Sequence, residues 1–214
     1  EFPLLETAIS LAQDEFPSLD IQQVLSDMDH WTARLKRSIL PGAEALDKLR
    51  ELNHFFYSNL RFAGNVNHYD NPHNSYLNVV MSTRLGIPIS MAVLWLELGQ
   101  SIGLPVFGVG FPGHFLVKLD LPAPQEGHVV IDPFSGESLS REDLCERLIP
   151  WLPGAKAGHP NAISDDALAF HLQAAEPREI IARMLRNLQE IYRRQGDNNR
   201  LLKVQARLAV LLPD

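Results

Sequence analysis

His114 and Asp132 are the two side chains of this 214-residue sequence whose spacing suggests paired chemistry. Each lies in a run that alternates apolar and polar residues. Residues 114–119 put Phe115, Val117 and Leu119 on one side, and residues 128–133 put Val129 and Ile131 on one side. Such runs read as strands, and the intervening eight residues, with two prolines and Gly127, join them as an antiparallel hairpin. Matching the apolar faces sets Phe115 opposite Ile131 and Val117 opposite Val129. His114 then falls opposite Asp132 on the face away from the core, at a Cβ separation of about 4.5–5.5 Å. An imidazole beside a carboxylate gains a fixed tautomer and a raised pKa, the base-and-orienter half of a nucleophilic triad. The plainer reading is a surface His–Asp pair of small energetic worth.

A nucleophile is harder to find. Cys145 is the sole thiol and sits between Leu144 and Leu148, where it reads as a small core residue. Ser90 stands in the first turn of an apolar helix, where the dipole favours an anion, but a serine there also serves as a cap. His68, Asp70 and His73 form H-x-D-x-x-H, three ligand types for a metal, yet in an Asn/Pro-rich turn they more commonly bond local backbone. Gly108 to Gly113 matches G-x-G-x-x-G, but a strand follows instead of a helix and Pro112 removes an N–H. It therefore reads as a glycine turn between strands, not a dinucleotide site.

Several elements must position these residues. Amphipathic stripes predict three N-terminal helices: one from Leu4 to Ala12, one from Ile21 to Ile39 capped by Asp20, and one from Leu46 to Leu60. Residues 61–75 are a polar, turn-rich loop. A helix follows from about Asn74, with Gly86 as its C-terminal cap. Pro88 opens the next helix, apolar nearly all round and so central and buried. Val106–Val109 reads as a further strand. Ser140 and Asp143 form a capping box for a helix to Ile149, residues 150–163 form a Pro/Gly-rich loop, and a short helix follows Ser164. Helices from Pro177 and from about Leu201, turned at Gly196, form a hairpin of the length of a tetratricopeptide repeat. The organisation is 1–60 helical, 61–150 core, 151–176 linker and short helix, and 177–214 helical hairpin.

Composition excludes several classes. With 19 Lys+Arg against 26 Asp+Glu, the net charge of −7 argues against nucleic acid and anionic membrane. One cysteine rules out a disulfide framework and a cysteine cluster for zinc or iron–sulfur. No apolar run is long enough to span a bilayer and no signal peptide opens the sequence, so a cytoplasmic setting is expected. The absence of Met at position 1 suggests that the native start lies upstream. No metal or cofactor is expected, and oligomeric state is not legible.

The pieces NPHNSYLN, RLGIPIS, GVGFPGHFLVKL and IDPFSGE, spread over residues 62–140, carry a family resemblance. Together they resemble the transglutaminase-like core of the SirB family, bacterial proteins that join this core to tetratricopeptide-type helices and usually carry a longer tail. The resemblance implies an α+β, papain-related fold: a buried helix on an antiparallel sheet, flanked by N-terminal helices and a C-terminal helical hairpin cut short at Asp214. It also implies a Cys at the helix N-terminus followed by His and Asp on adjacent strands. His114 and Asp132 match the last two, but the superfamily's G-x-C falls on Gly86-Ile87-Pro88, so Pro88 occupies the cysteine position. Ser90 lies about 200° further round the helix. The implied function is a degenerate enzyme that binds or assembles, with a peptide or acyl group in the cleft and a protein partner on the helical tail. The alternative is a hydrolase or acyltransferase in which Ser90 or water attacks, His114 is the base and Asp132 orients it. Asn65, Asn67, Asn74, Ser75, Asn78, Pro88 and Gly113 would line the cleft or stabilise an oxyanion. A metal-dependent activity at His68, Asp70 and His73 ranks third.

Overall fold

The computed structural model describes residues 2–121, 123, 126–152 and 163–213. Most of the loop expected at 150–163, and both prolines of the hairpin loop, lie outside the described residues. The fold is α+β. The N-terminal helices are α1 (Leu4–Ser10, extended by a 3-10 turn), α2 (Ile21–Ser38) and α3 (Ala45–Asn53). In α2 the Asp20 carboxylate accepts from the Gln22 and Gln23 N–H groups, while Val24, Met28, Trp31 and Leu35 form the buried stripe. Past α3 the helix widens into a π-helix over His54–Asn59, a local departure from the plain helix expected there.

Strand β1 (Ala63–Gly64) pairs in parallel with β2 (Leu85–Gly86), and α4 (Leu77–Thr83) runs between them. The expected cap of α4 at Gly86 is corrected: Arg84 closes the helix in the left-handed region, φ +64°. Gly86 is needed for space instead, since an added Cβ would come within 2.9 Å of Ser90 Oγ.

Helix α5 (Pro88–Ser101) is the centre of the molecule. It packs against α1, α2, α3, α4 and one face of the sheet β3 (Val106–Val109), β4 (Leu116–Leu121), β5 (Gly127–Ile131) and β6 (Ser138–Leu139), antiparallel in that order. Val117, Leu119 and Ile131 join α5 in the main core, which also takes in Leu5, Met28 and Phe56 from the N-terminal helices and Ile181, Leu185 and Val204 from the C-terminal pair. That pair is α8 (Pro177–Gln195) and α9 (Asn198–Leu211), turned by Gly196 at φ +71°. The segments 1–60, 61–150 and 177–214 therefore contribute to one core.

The opposite face of the sheet is also covered. Leu116 and Val130 meet Leu144, Cys145 and Leu148 of α6 (Arg141–Leu148) and Leu168 of α7 (Asp165–His171) in a second, smaller core. The face away from the main core, where His114 and Asp132 are expected, is thus covered by these two helices.

Candidate functional site

The hairpin register differs from the expected one by two residues. Val117 lies opposite Ile131, Lys118 opposite Val130 and Leu119 opposite Val129. Side-chain faces repeat every second residue, so a two-residue slip keeps every apolar contact on its side, and alternation alone cannot tell the two registers apart. The difference begins before β4. Phe111-Pro112-Gly113-His114 is a turn: the His114 N–H donates to the Phe111 carbonyl at 3.1 Å, and Gly113 takes φ +71° after Pro112, the type II pattern. His114 is thus the exposed last residue of a turn, not a paired strand residue.

Asp132 follows β5 and is 7% exposed. One carboxylate oxygen accepts from the Phe134 N–H at 3.0 Å, and the other accepts from Arg147 Nη1 at 2.7 Å. No hydrogen bond joins Asp132 to His114, so the direct base-and-orienter contact is not made. The expected rise in the His114 pKa is corrected as well. Partial burial lowers it, the Arg147 and Arg183 charges lower it further, and Asp132 offsets only part of this.

Arg183 of α8 completes the surroundings. Its Nη2 donates to the carbonyls of Phe111 and His114, at 3.2 and 2.7 Å, and its guanidinium lies 5.5 Å from the Phe115 ring centre. Gly113 is exposed, but the Trp151 ring lies close on one side, so that an added Cβ would stand 2.6 Å from it. On the other side of Asp132, Tyr57 of the π-helix donates to the Pro133 carbonyl at 2.9 Å. Burial and the Asp132 charge push its phenol pKa up. Gly64 leaves room for the Phe134 ring, which Tyr69 meets at 5.9 Å.

The helix tip carries Pro88 and, two residues on, Ser90. Pro88 is the buried first residue of α5. Ser90 is fully buried; its Oγ accepts from the Ile87 N–H and donates to the Ile87 carbonyl, both at 3.1 Å. The candidate serine is therefore corrected to a capping residue. Cys145 lies in the second core, across the sheet from α5.

The polar loop bonds mainly to itself. Asn65 donates to Asn74 Oδ1 at 2.8 Å, and Asn74 Nδ2 donates to the His68 and Tyr69 carbonyls. Asn67 is exposed, and Ser75 is fully buried with its Oγ unpaired. Asn78 does not join the site; it lines a crevice against α2 because its position on α4 turns it that way. His68, Asp70 and His73 are exposed, and among the described residues no three His, Cys, Asp or Glu side chains gather as a metal site.

Arg147, Arg183, Tyr57 and Trp151 were missed by sequence reasoning. Arg183 had a signal: it interrupts the apolar stripe Ile180, Ile181, Met184, Leu185, so it had to meet polar partners. Arg147 and Tyr57 had none, because their partners are distant in sequence.

The family profile of the transglutaminase-like superfamily matches residues 22–186. A UPF0162 protein of Xylella fastidiosa (strain Temecula1) is 37% identical over 213 residues, covering 99% of this chain and 73% of the relative. The chain belongs to the transglutaminase-like superfamily, among the UPF0162 proteins. A UPF0162 protein of Pseudomonas aeruginosa is 29% identical over 210 residues, or 98% of this chain and 72% of the relative. F-box only protein 21 of Homo sapiens is 31% identical over 156 residues, 69% of this chain but 22% of that protein. No solved structure matches. In this transglutaminase-like chain, the helix tip, the turn before β4 and the end of β5 carry Pro88, His114 and Asp132.

Proposed function

We infer that the chain is a non-catalytic transglutaminase-like protein, a binding or assembly factor whose cleft receives a peptide or acyl group. The observation that carries this reading is the tip of α5. Acyl transfer through a side chain needs a nucleophile within hydrogen-bond reach of its base. Pro88 offers none, and the Ser90 hydroxyl is buried and engaged with Ile87 on both counts. The Arg147–Asp132 pair and Arg183 give the cleft polar groups suited to holding a carbonyl or carboxylate.

The C-terminal hairpin is the partner surface in this reading. Helix α8 is docked on the core, whereas α9 exposes Leu202 and Val210, the latter 84% exposed. A SirB-type relationship, with a tetratricopeptide-like hairpin and a cytoplasmic setting, belongs to the same proposal. In its support, two consecutive helices turn at a left-handed glycine, and the sole cysteine is free and buried.

A second reading rests on His114. It is exposed and biased to the neutral form that a general base needs, so a water activated by His114 would give a hydrolase without a side-chain nucleophile. Purified chain and His114→Ala should be compared on a panel of amide, ester and thioester acyl donors. The binding reading expects both to match the uncatalysed rate. Turnover that disappears in His114→Ala overturns it in favour of hydrolysis.

A further inference from the structure

Two helices reach the Gly113–His114 turn. The first is α6, which runs on into a 3-10 turn over Ile149–Trp151 and carries Arg147 and Trp151 four residues apart, about one helical turn along the same side. Arg147 holds the Asp132 carboxylate, and the Trp151 indole edge lies against Gly113, with Nε1 2.9 Å from the position of an added Cβ. The second is α8, whose Arg183 holds the His114 carbonyl at 2.7 Å. The indole and the Arg183 guanidinium are thus fixed to consecutive residues, whose Cα atoms stand about 3.8 Å apart.

The side chains there offer donors without a free carboxylate. Both Asp132 oxygens are engaged, one by the Phe134 N–H and one by Arg147. Arg183 spends only Nη2, on two backbone carbonyls, and no carboxylate pairs with it among the described residues. The Trp151 indole N–H and the His114 ring have no hydrogen-bond partner among those residues either. The charges that bear on the His114 ring are Arg147 from α6, Arg183 from α8 and Asp132 after β5, so one positive charge is uncompensated. The groups are within reach of a ligand: Gly113 and His114 are exposed, Trp151 is 59% exposed and Arg183 is half-buried.

An apolar acyl chain would cover these donors and give them nothing to bond. A peptide strand passing through brings one N–H for every carbonyl and no charge. A carboxylate brings two acceptor oxygens and the missing negative charge, and the Trp151 ring supplies an apolar wall beside it. We propose that the His114 site receives the free C-terminal carboxylate of a peptide, its charge set against the Arg183 guanidinium and the His114 ring and its last side chain against the Trp151 indole. This rests on the binding reading of the site and names the chemistry of its ligand. A carboxylate held there favours the protonated ring, so it raises the His114 pKa, and binding tightens as pH falls through that value.

The test is NMR on the labelled full chain, titrated with the N-acetyl tripeptides Gly-Gly-Ala, Gly-Gly-Leu and Gly-Gly-Phe. Each is used as free acid and as carboxamide, beside N-acetyl-Gly-Glu-Gly carboxamide, whose only carboxylate is internal. At least one free acid should give saturable shifts at residues 111–115, the Trp151 indole N–H and the Arg183 side chain, and should raise the His114 pKa. Its carboxamide and the internal glutamate should bind about tenfold more weakly or worse. Arg183→Gln should weaken binding about tenfold. Trp151→Ala, at an exposed position, should keep the melting temperature and still weaken it. Arg178→Gln, an exposed charge elsewhere on α8, should leave it unchanged. No saturable shift from any free acid at tens of millimolar overturns the proposal, as does equal weakening by Arg178→Gln. Equal binding of acid and carboxamide overturns it and leaves the binding reading standing. Equal binding of the internal glutamate overturns the C-terminal assignment. Turnover of acyl donors bears on the binding reading alone, so the two can fail separately.

Discussion

The Arg147 guanidinium, not the His114 ring, holds the Asp132 carboxylate, with Nη1 2.7 Å from Oδ2. The pair links α6 to the end of β5 and leaves the imidazole without an acceptor on Asp132. Its geometry explains why the site has the residue types of a base and its orienter without their mutual contact.

Removing Arg147 should therefore be felt in stability. The Asp132 side chain is 10% exposed and that of Arg147 27%, so the pair stands between exposed and fully buried cases. Arg147→Ala leaves the carboxylate with the Phe134 N–H alone and should cost about 2 kcal/mol, between the ranges for exposed and buried pairs. Urea denaturation measures it. Asp132→Asn, which keeps an acceptor for Phe134, should cost less. Equal losses would show that the stranded carboxylate is not the source of the cost.

His114 should titrate below the ordinary histidine value of 6.5. The depressed folded-state pKa makes the neutral ring the form compatible with folding. Its contribution to stability is then complete above the unfolded-state pKa and declines as pH falls through the folded-state value. NMR titration of the ring reads the pKa directly. Arg147→Gln should raise it, because one of the two depressing charges is removed. A value at or above 6.5 in the unmodified chain would contradict the arrangement.

Gly113→Ala meets two obstacles at once, a left-handed φ and the Trp151 ring. The backbone strain alone should cost about 1–2 kcal/mol. Trp31 and Trp95 are buried, whereas Trp151 is 59% exposed, so displacement of that ring should register as greater acrylamide quenching of tryptophan fluorescence. Unchanged quenching would place the indole away from the turn.

Ser90→Ala should cost about 1 kcal/mol, the usual worth of a lost cap hydroxyl. On the binding reading, it should leave ligand binding beside His114 untouched. An effect on binding without an effect on stability would return Ser90 to the site.

The sequence made the helices legible because the apolar stripes repeat at helical spacing and several are bounded by recognisable signals. Pro88 opens α5, Ser140 and Asp143 box the start of α6, and Gly196 turns α8 into α9. The site was legible in its residue types but not in its contacts. Val117 against Ile131 buries the same faces as Phe115 against Ile131 would, so the register hung on the turn at residues 111–114, where a Pro-Gly pair delays the strand. Arg147 reaches Asp132 from a helix whose only sequence mark there is a charged outer face. Asn78 looked like its loop neighbours, and only the rotation of α4 sends it elsewhere.

Arg183 grips the turn through the carbonyls of Phe111 and His114, groups that every residue type possesses. Exchanging the side chains at those two positions leaves both acceptors in place, so the fastening tolerates drift in the turn and depends on a single residue of the distant helix. The posture of the histidine is thus inherited from the C-terminal part of the chain, and a lesion in α8 would be expected to act there before any change written into the turn itself.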